Sequence, residues 1–188
     1  MPMPVKFRET PIPGVLLVET GCVFDERGFF SELYSETMWR DAGFTERFVQ
    51  DNLSLSAKGT LRGLHYQIDP HGMGKLVRTV AGSVFDAGVD LRRGSPTFGR
   101  WFGHVLSGEN RLALWFPSGF AHGFVALEDH SLVCYKCTHI HTPDAERSLL
   151  YNDPAIGIEW PIKATRISKK DAEAPHLADA DYNFTYAK

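Results

Sequence analysis

Turn-forming residues recur roughly every 8–12 positions through the middle of this chain, a spacing that admits strands but no helix long enough to form a layer. The clearest strand is SVFDAGVDL, where Phe85, Ala87, Val89 and Leu91 alternate with Val84, Asp86, Gly88 and Asp90 ahead of the turn material RRGSPTFG. Further strands are predicted over 53–56, 60–67, 75–80, 99–106, 111–116, 122–127 and 132–138. Only two short helices have start and stop signals. Ser35 is placed to cap SETMWRDAG with Gly43 as a left-handed stop, and Ser168 to open SKKDAEAPHL with Asp171 in its first turn. With no alternation of strands and long helices, a parallel α/β architecture is excluded. The pattern predicts an all-β sandwich of jelly-roll type, two packed sheets with a few short peripheral helices.

The composition supports one core. At 188 residues, 43% hydrophobic and 12% aromatic, the chain can bury the interior of a single domain spanning 1–188 and is not disordered. Its net charge of -3 creates no broad positive field, so nucleic acid is not expected as a partner and any anion must be met by a local cluster. The opening MPMPVKFRETPIPG lacks an apolar secretory core, and no segment approaches the ~18 apolar residues of a membrane span. Cys22, Cys134 and Cys137 form an odd set with no disulfide framework. These features predict a cytoplasmic protein without a membrane partner. The Cys134–Cys137 spacing resembles a redox pair, but strand positions three apart point to opposite faces.

The densest group of reactive side chains is LRGLHYQ followed by HGMGKLVR, which puts Arg62, His65, Gln67, Lys75 and Arg78 on neighbouring strands. An imidazole titrates near neutrality and can serve as a general base, while Arg and Lys neutralise a phosphate or a developing enolate. A lone strand histidine is more often a packing residue, so His65 needs supporting geometry. Regular alternation would send Arg62 and His65 to opposite faces. Gly63 lies between them, and glycine within a strand marks a bulge, so pairing is predicted to break there and bring both side chains into one pocket.

In WFPSGFAHGF, the spacing Pro117-x-Gly119-x-x-His122 matches the second motif of the cupin jelly roll. Metal-binding cupins add a His-x-His from their first motif, but the corresponding residues here are His65-Tyr66-Gln67, a poor ligand set, and no metal is expected. Tyr135 shares strand parity with Cys137 and is a candidate general acid as well as a candidate packing residue. Asp171 reads equally as a capping-box acid under Ser168. The segments FDERGFFSELY and VQDN interleave aromatic and hydrogen-bonding residues as a nucleoside site would, or as a core strand with a polar rim would.

Taken together, FDERGFFSELY, VQDN, LRGLHYQ, GKLVR, SPTFGRW, PSGFAHGF, YKCT and DPAIGIEWP resemble the dTDP-4-dehydrorhamnose 3,5-epimerase family, in order and over most of the chain. The resemblance implies a metal-independent cupin that needs no cofactor. It implies a homodimer whose N-terminal segment crosses to the partner, with the C-terminal short helices packed on the sandwich. The expected reaction converts dTDP-4-dehydro-6-deoxy-D-glucose to dTDP-4-dehydro-L-rhamnose, in making dTDP-L-rhamnose for surface glycans such as O antigen. C3 and C5 both flank the C4 ketone, so each C–H is acidified through an enolate. His65 would be the base, oriented by Asp171; Tyr135 would return the proton from the other face; Lys75 would stabilise the enolate oxygen. Arg62 and Arg27 would meet the diphosphate, and Phe30, Glu32, Gln50, Asp51, Asn52, His122, Glu146 and Lys170 the nucleotide-sugar. One departure stands out: His141 occupies the position of the family's thymine-stacking tyrosine. A C3-only epimerase or one acting on another 4-keto deoxysugar nucleotide, a metal-dependent cupin using His65 and His122, and a sugar-binding jelly roll remain as alternatives.

Overall fold

A computed structural model of the chain describes residues 4–187, so residues 1–3 and Lys188 of the expected domain lie outside the described residues. In chain order come β1 (Val5–Glu9), β2 (Leu16–Thr20), β3 (Val23–Asp25), β4 (Gly28–Phe30), α1 (Glu36–Asp41), β5 (Gln50–Ser56), β6 (Thr60–Gln67) and β7 (Lys75–Ala81). They are followed by β8 (Ser83–Asp90), β9 (Trp101–Ser107), β10 (Leu112–Phe116), β11 (Phe120–Ala126) and β12 (Ser131–Cys137). Two small strands, β13 (Glu146–Ser148) and β14 (Arg166–Ile167), and the single turn α2 (Lys169–Ala172) complete the chain.

The strands form two facing sheets, as the turn spacing predicts. One runs β1-β2-β10-β7-β12-β5 and the other β13-β6-β11-β8-β9, with β14 joining β6 in parallel; β3 and β4 form a separate hairpin. Alternation assigns each sheet an inner and an outer face. Val77, Leu114 and Phe116 from the first sheet meet Val84, Leu106, Phe120 and Phe124 from the second, all fully or nearly fully buried. Burying each such side chain contributes roughly 1.5–3 kcal/mol. The outer faces are covered as well. Trp39 and Phe44 pack on Trp115 and Leu76 of the first sheet, while Leu149, Ile156 and Phe184 pack on Val89, Leu91 and Ala121 of the second. The C-terminal segment therefore contributes to the core although it is almost free of regular structure.

Several local expectations need correction. Helix α1 begins where Ser35 predicts, but the Ser35 side chain makes no capping bond; Gly43 does stop the helix at φ +93°. Ser168 does cap α2, accepting from the Asp171 N–H, yet the helix is only four residues long. Strands β1 to β4, three to five residues each, lie outside the expected strands, and β13 and β14 exist only through their pairing with β6.

The break at Gly63 is present. Register between β6 and β11 slips between His122 and Phe124, and Gly63 has φ +123°. A Cβ built on Gly63 would lie 2.5 Å from Gly123 Cα and 2.8 Å from the His122 carbonyl oxygen. Two glycine backbones touch here, and no other residue permits that approach.

Candidate active site

Between the two sheets an aromatic core fills one part of the inner space, and polar residues line the rest. Along β7, β11 and β12, the inward positions beyond Val77, Phe124 and Val133 are Lys75, His122 and Tyr135. They open on a cavity of about 570 Å³, lined also by Arg62, His65, Lys170 and Asp171. The bulge at Gly63 lets Arg62 and His65 share it despite their odd spacing. A second cavity of about 400 Å³ adjoins through His65, Lys75 and Tyr135 and is lined by Gln50, Asn52, His141 and Glu146.

His65 Nε2 lies 2.7 Å from Asp171 Oδ1. The other carboxylate oxygen of Asp171 accepts from the Gly63 N–H at 3.2 Å, so the bulged backbone also orients the acid. Burial alone would raise the Asp171 carboxyl, but the His65 and Gly63 hydrogen bonds outweigh it and hold the group below the usual carboxylate range. Asp171 is thus both a first-turn residue under Ser168 and the partner of His65, and its carboxylate is committed to the imidazole. An ionised carboxylate only accepts, so His65 Nε2 carries the hydrogen and Nδ1 is left as the ring's basic nitrogen.

Tyr135 enters from the first sheet and His65 from the second, placing phenol and imidazole on opposing walls of one cavity. Burial pushes the Tyr135 phenol up, which keeps it protonated at neutral pH. Lys75 is 9% exposed and donates to the His65 carbonyl oxygen at 3.1 Å. Its burial pushes the amine down, partly offset by Cys137, Asp86 and Glu146.

The polar rim is wired together. Gln50 donates to Asn52 at 3.1 Å and accepts from the His141 N–H at 2.8 Å. His141 is half exposed, with Nε2 3.8 Å from Glu146, which is itself ion-paired with Lys170. Arg62 reaches across to Ser56 Oγ at 3.1 Å. His122 Nε2 bonds Asp86 at 2.7 Å, so both cavity imidazoles have one nitrogen committed to a carboxylate. Among the described residues, no three His, Cys, Asp or Glu side chains are grouped as a metal would require.

Not every expected residue reaches the cavity. Asp51 points outward and pairs with Lys136 at 2.9 Å. Arg27 pairs with Asp25, and Phe30 is 68% exposed on the β3–β4 hairpin. The hairpin's Phe24 and Phe29 lie under the Arg111 guanidinium, and Phe29 lines a small outer cavity with Arg78 and Arg111. Arg27, Phe30 and Glu32 therefore line neither cavity of their own chain. The thiols diverge as strand parity requires, Cys137 lying inward and opposite Lys75 in the register and Cys134 opposite Arg78. Asp86 and Arg166 were not legible as site residues. Asp86 reads as one position in an alternating strand, and Arg166 lies in a segment without periodicity.

Comparison with known proteins agrees with this geometry. The profile of the family described as dTDP-4-dehydrorhamnose 3,5-epimerase matches residues 9–179. The Shigella flexneri dTDP-4-dehydrorhamnose 3,5-epimerase is 49% identical over 175 residues, covering 93% of this chain and 97% of that one. The Legionella pneumophila dTDP-6-deoxy-D-glucose-3,5-epimerase, solved with dTDP-4-keto-L-rhamnose, superimposes with a TM-score of 0.90 at 46% identity, covering 94% of this chain and 95% of that one. A 3'-monoepimerase from Streptomyces bikiniensis in complex with dTDP-quinovose gives a TM-score of 0.84 at 34% identity, covering 90% and 86%. With a cupin-like jelly roll, an imidazole–carboxylate pair facing a phenol, and relatives matched over nearly their whole length, the chain belongs to the dTDP-4-dehydrorhamnose 3,5-epimerase family.

Proposed function

We propose that this chain epimerises C3 and C5 of dTDP-4-dehydro-6-deoxy-D-glucose to give dTDP-4-dehydro-L-rhamnose by side-chain acid–base chemistry that needs no cofactor. The observation that carries this reading is the pairing of His65 with Asp171 at 2.7 Å, opposite a protonated Tyr135 in one cavity. His65 Nδ1 takes the proton from C3 or C5, and the C–H electron pair moves into an enolate whose oxygen is the former C4 carbonyl. Lys75 donates to that oxygen. Tyr135 returns a proton to the other face of the same carbon, which inverts it. The imidazolium and phenolate left behind exchange with water before the second carbon reacts. Stabilising a developing oxyanion with a fixed cation contributes about 3–4 kcal/mol, and positioned proton transfer another 10²–10⁴-fold in rate.

The nucleotide is assigned to the adjoining cavity, with the base near His141 and Gln50, the ribose near Asn52 and Glu146, and the diphosphate toward Arg62 and Lys170. His122 meets a sugar hydroxyl. We read the enzyme as a cytoplasmic homodimer serving dTDP-L-rhamnose synthesis, with Arg27, Phe30 and Glu32 completing the partner's site. Support comes from the exposed hairpin aromatics Phe24, Phe29 and Phe30 and from edge strand β5, which shows Leu53 and Leu55 to solvent.

Proton NMR of the substrate in deuterium oxide tests the reading. Solvent deuterium entering at both C3 and C5 is expected. Exchange at C3 alone assigns a monoepimerase, and no exchange overturns the epimerase reading.

A further inference from the structure

Asp86 on β8 is 0% exposed, yet only one of its carboxylate oxygens has a partner. Oδ1 bonds His122 Nε2 at 2.7 Å, while Oδ2 is buried with no hydrogen bond among the described residues. A fully buried carboxylate costs several kcal/mol unless it is protonated or paired with a cation. His122 does not supply that cation: burial, the largest influence, holds its imidazolium below the usual histidine range, so at neutral pH the ring is a dipole. The other cationic side chain near Asp86 is Lys75 on the opposing sheet, which bonds the carbonyl of His65, the cross-strand partner of His122, and acts to lower the Asp86 carboxyl against the burial that raises it.

Lys75 has the complementary need. Its ammonium is almost completely buried, and its only hydrogen bond among the described residues runs to a neutral acceptor, the His65 carbonyl oxygen. The titratable groups that face it are His65 from β6, Asp86 from β8, His122 from β11, Tyr135 and Cys137 from β12, and Glu146 from β13. Glu146 already pairs with Lys170, and the burial-raised Cys137 thiol and Tyr135 phenol are neutral at pH 7. Among the described residues, Asp86 is the carboxyl whose one hydrogen-bond partner is a neutral ring and whose other oxygen is unpartnered.

We propose that Asp86 is a positioning residue for the reaction: from beneath the cavity it keeps Lys75 protonated at the ketone oxygen and fixes His122 with Nδ1 free as a hydrogen-bond acceptor. Asp86 itself touches no substrate. Its effect passes through two side chains that line the cavity, so its loss is felt as a change in their protonation. The task of Lys75 at the ketone comes from the epimerase reading; its protonation state does not, so labelling and turnover fail separately.

The test is Asp86→Asn, which keeps shape and removes charge. Competitive acetylation by acetic anhydride at pH 7.5, read by peptide mass, reports how much of each lysine is unprotonated. In the variant, Lys75 is expected to label about tenfold faster than in wild type with other lysines unchanged. The alkaline limb of kcat is expected at lower pH, with kcat down about tenfold to a hundredfold and KM within about threefold. Asp86→Glu is expected to restore slow labelling. Wild-type labelling and an unmoved alkaline limb in Asp86→Asn would overturn the proposal, whatever happens to kcat. Should Asp86→Asn not fold, Lys75→Met serves in its place. Removing the cation should leave Asp86 protonated at neutral pH and add a protonated-carboxyl band to the infrared difference spectrum; absence of that band would equally overturn the proposal.

Discussion

At the scale of single residues, His65 and Asp171 turn two ambiguous side chains into one functional pair, and the pair has a signature in pH. The Asp171 carboxyl is held below its ordinary value in the folded chain, so its contribution to stability is present above the unfolded carboxylate pKa of ~4 and is lost as pH falls through the lower folded value. Asp171→Asn removes that dependence. Thermal melting between pH 6 and pH 3 should show a shallower acid decline in the variant, and turnover should fall by about 10²-fold or more as the imidazole loses its orientation. An identical acid decline would mean that the pair does not carry this linkage. His141 supports a second prediction. Replacing it with Tyr adds stacking area beside Gln50 and Glu146, and at ~0.5–1.5 kcal/mol per aromatic pair calorimetry should find dTDP bound about two- to tenfold tighter. Equal or weaker binding would remove His141 from the base site. These residues were legible through the family resemblance; taken singly, His65 read as readily as a packing residue and Asp171 as a helix cap. Asp86 was not, because its partner His122 is distant in sequence and joins it only when β8 and β11 pair.

At the scale of elements, the site depends on one irregularity in β6. The middle strands were legible because apolar alternation and turn residues bound them, and the Gly63 bulge was legible as the only way to reconcile Arg62 with His65. The short β13 and β14 were not, since two or three residues hold no period and gain their form from β6. Gly63 does three things at once: it reaches φ +123°, lets Gly123 approach, and donates its N–H to Asp171. Gly63→Ala places a methyl within 2.5 Å of the Gly123 backbone, which must move. Backbone strain of this kind costs about 1–3 kcal/mol, and displacement of β11 adds to it. The variant should therefore melt several degrees lower and lose exchange at both carbons together, because Arg62, His65 and Asp171 shift as a unit. Retained stability with full exchange would show that the bulge is not what builds the site.

At the scale of the whole molecule, the single chain is well packed but leaves one region uncovered. Phe24, Phe29 and Phe30 are between 57% and 68% exposed, and edge strand β5 presents Leu53 and Leu55 beside an unpaired backbone. The chain's own cavities receive neither Arg27 nor Phe30 nor Glu32. A two-fold dimer resolves both facts if each hairpin crosses to the other subunit, since one patch then buries apolar surface and delivers polar side chains. That arrangement has a consequence a separately complete chain lacks. A heterodimer made by coexpressing a His65→Asn chain with an Arg27→Ala/Phe30→Ser chain holds one cavity with both its own His65 and an intact hairpin from across the interface. The other cavity has neither. Isolated through two affinity tags, such a heterodimer should turn over at about half the wild-type rate per dimer, while each parent homodimer is nearly inactive. If the hairpin served its own chain, neither cavity of the heterodimer would be complete, and no activity would return.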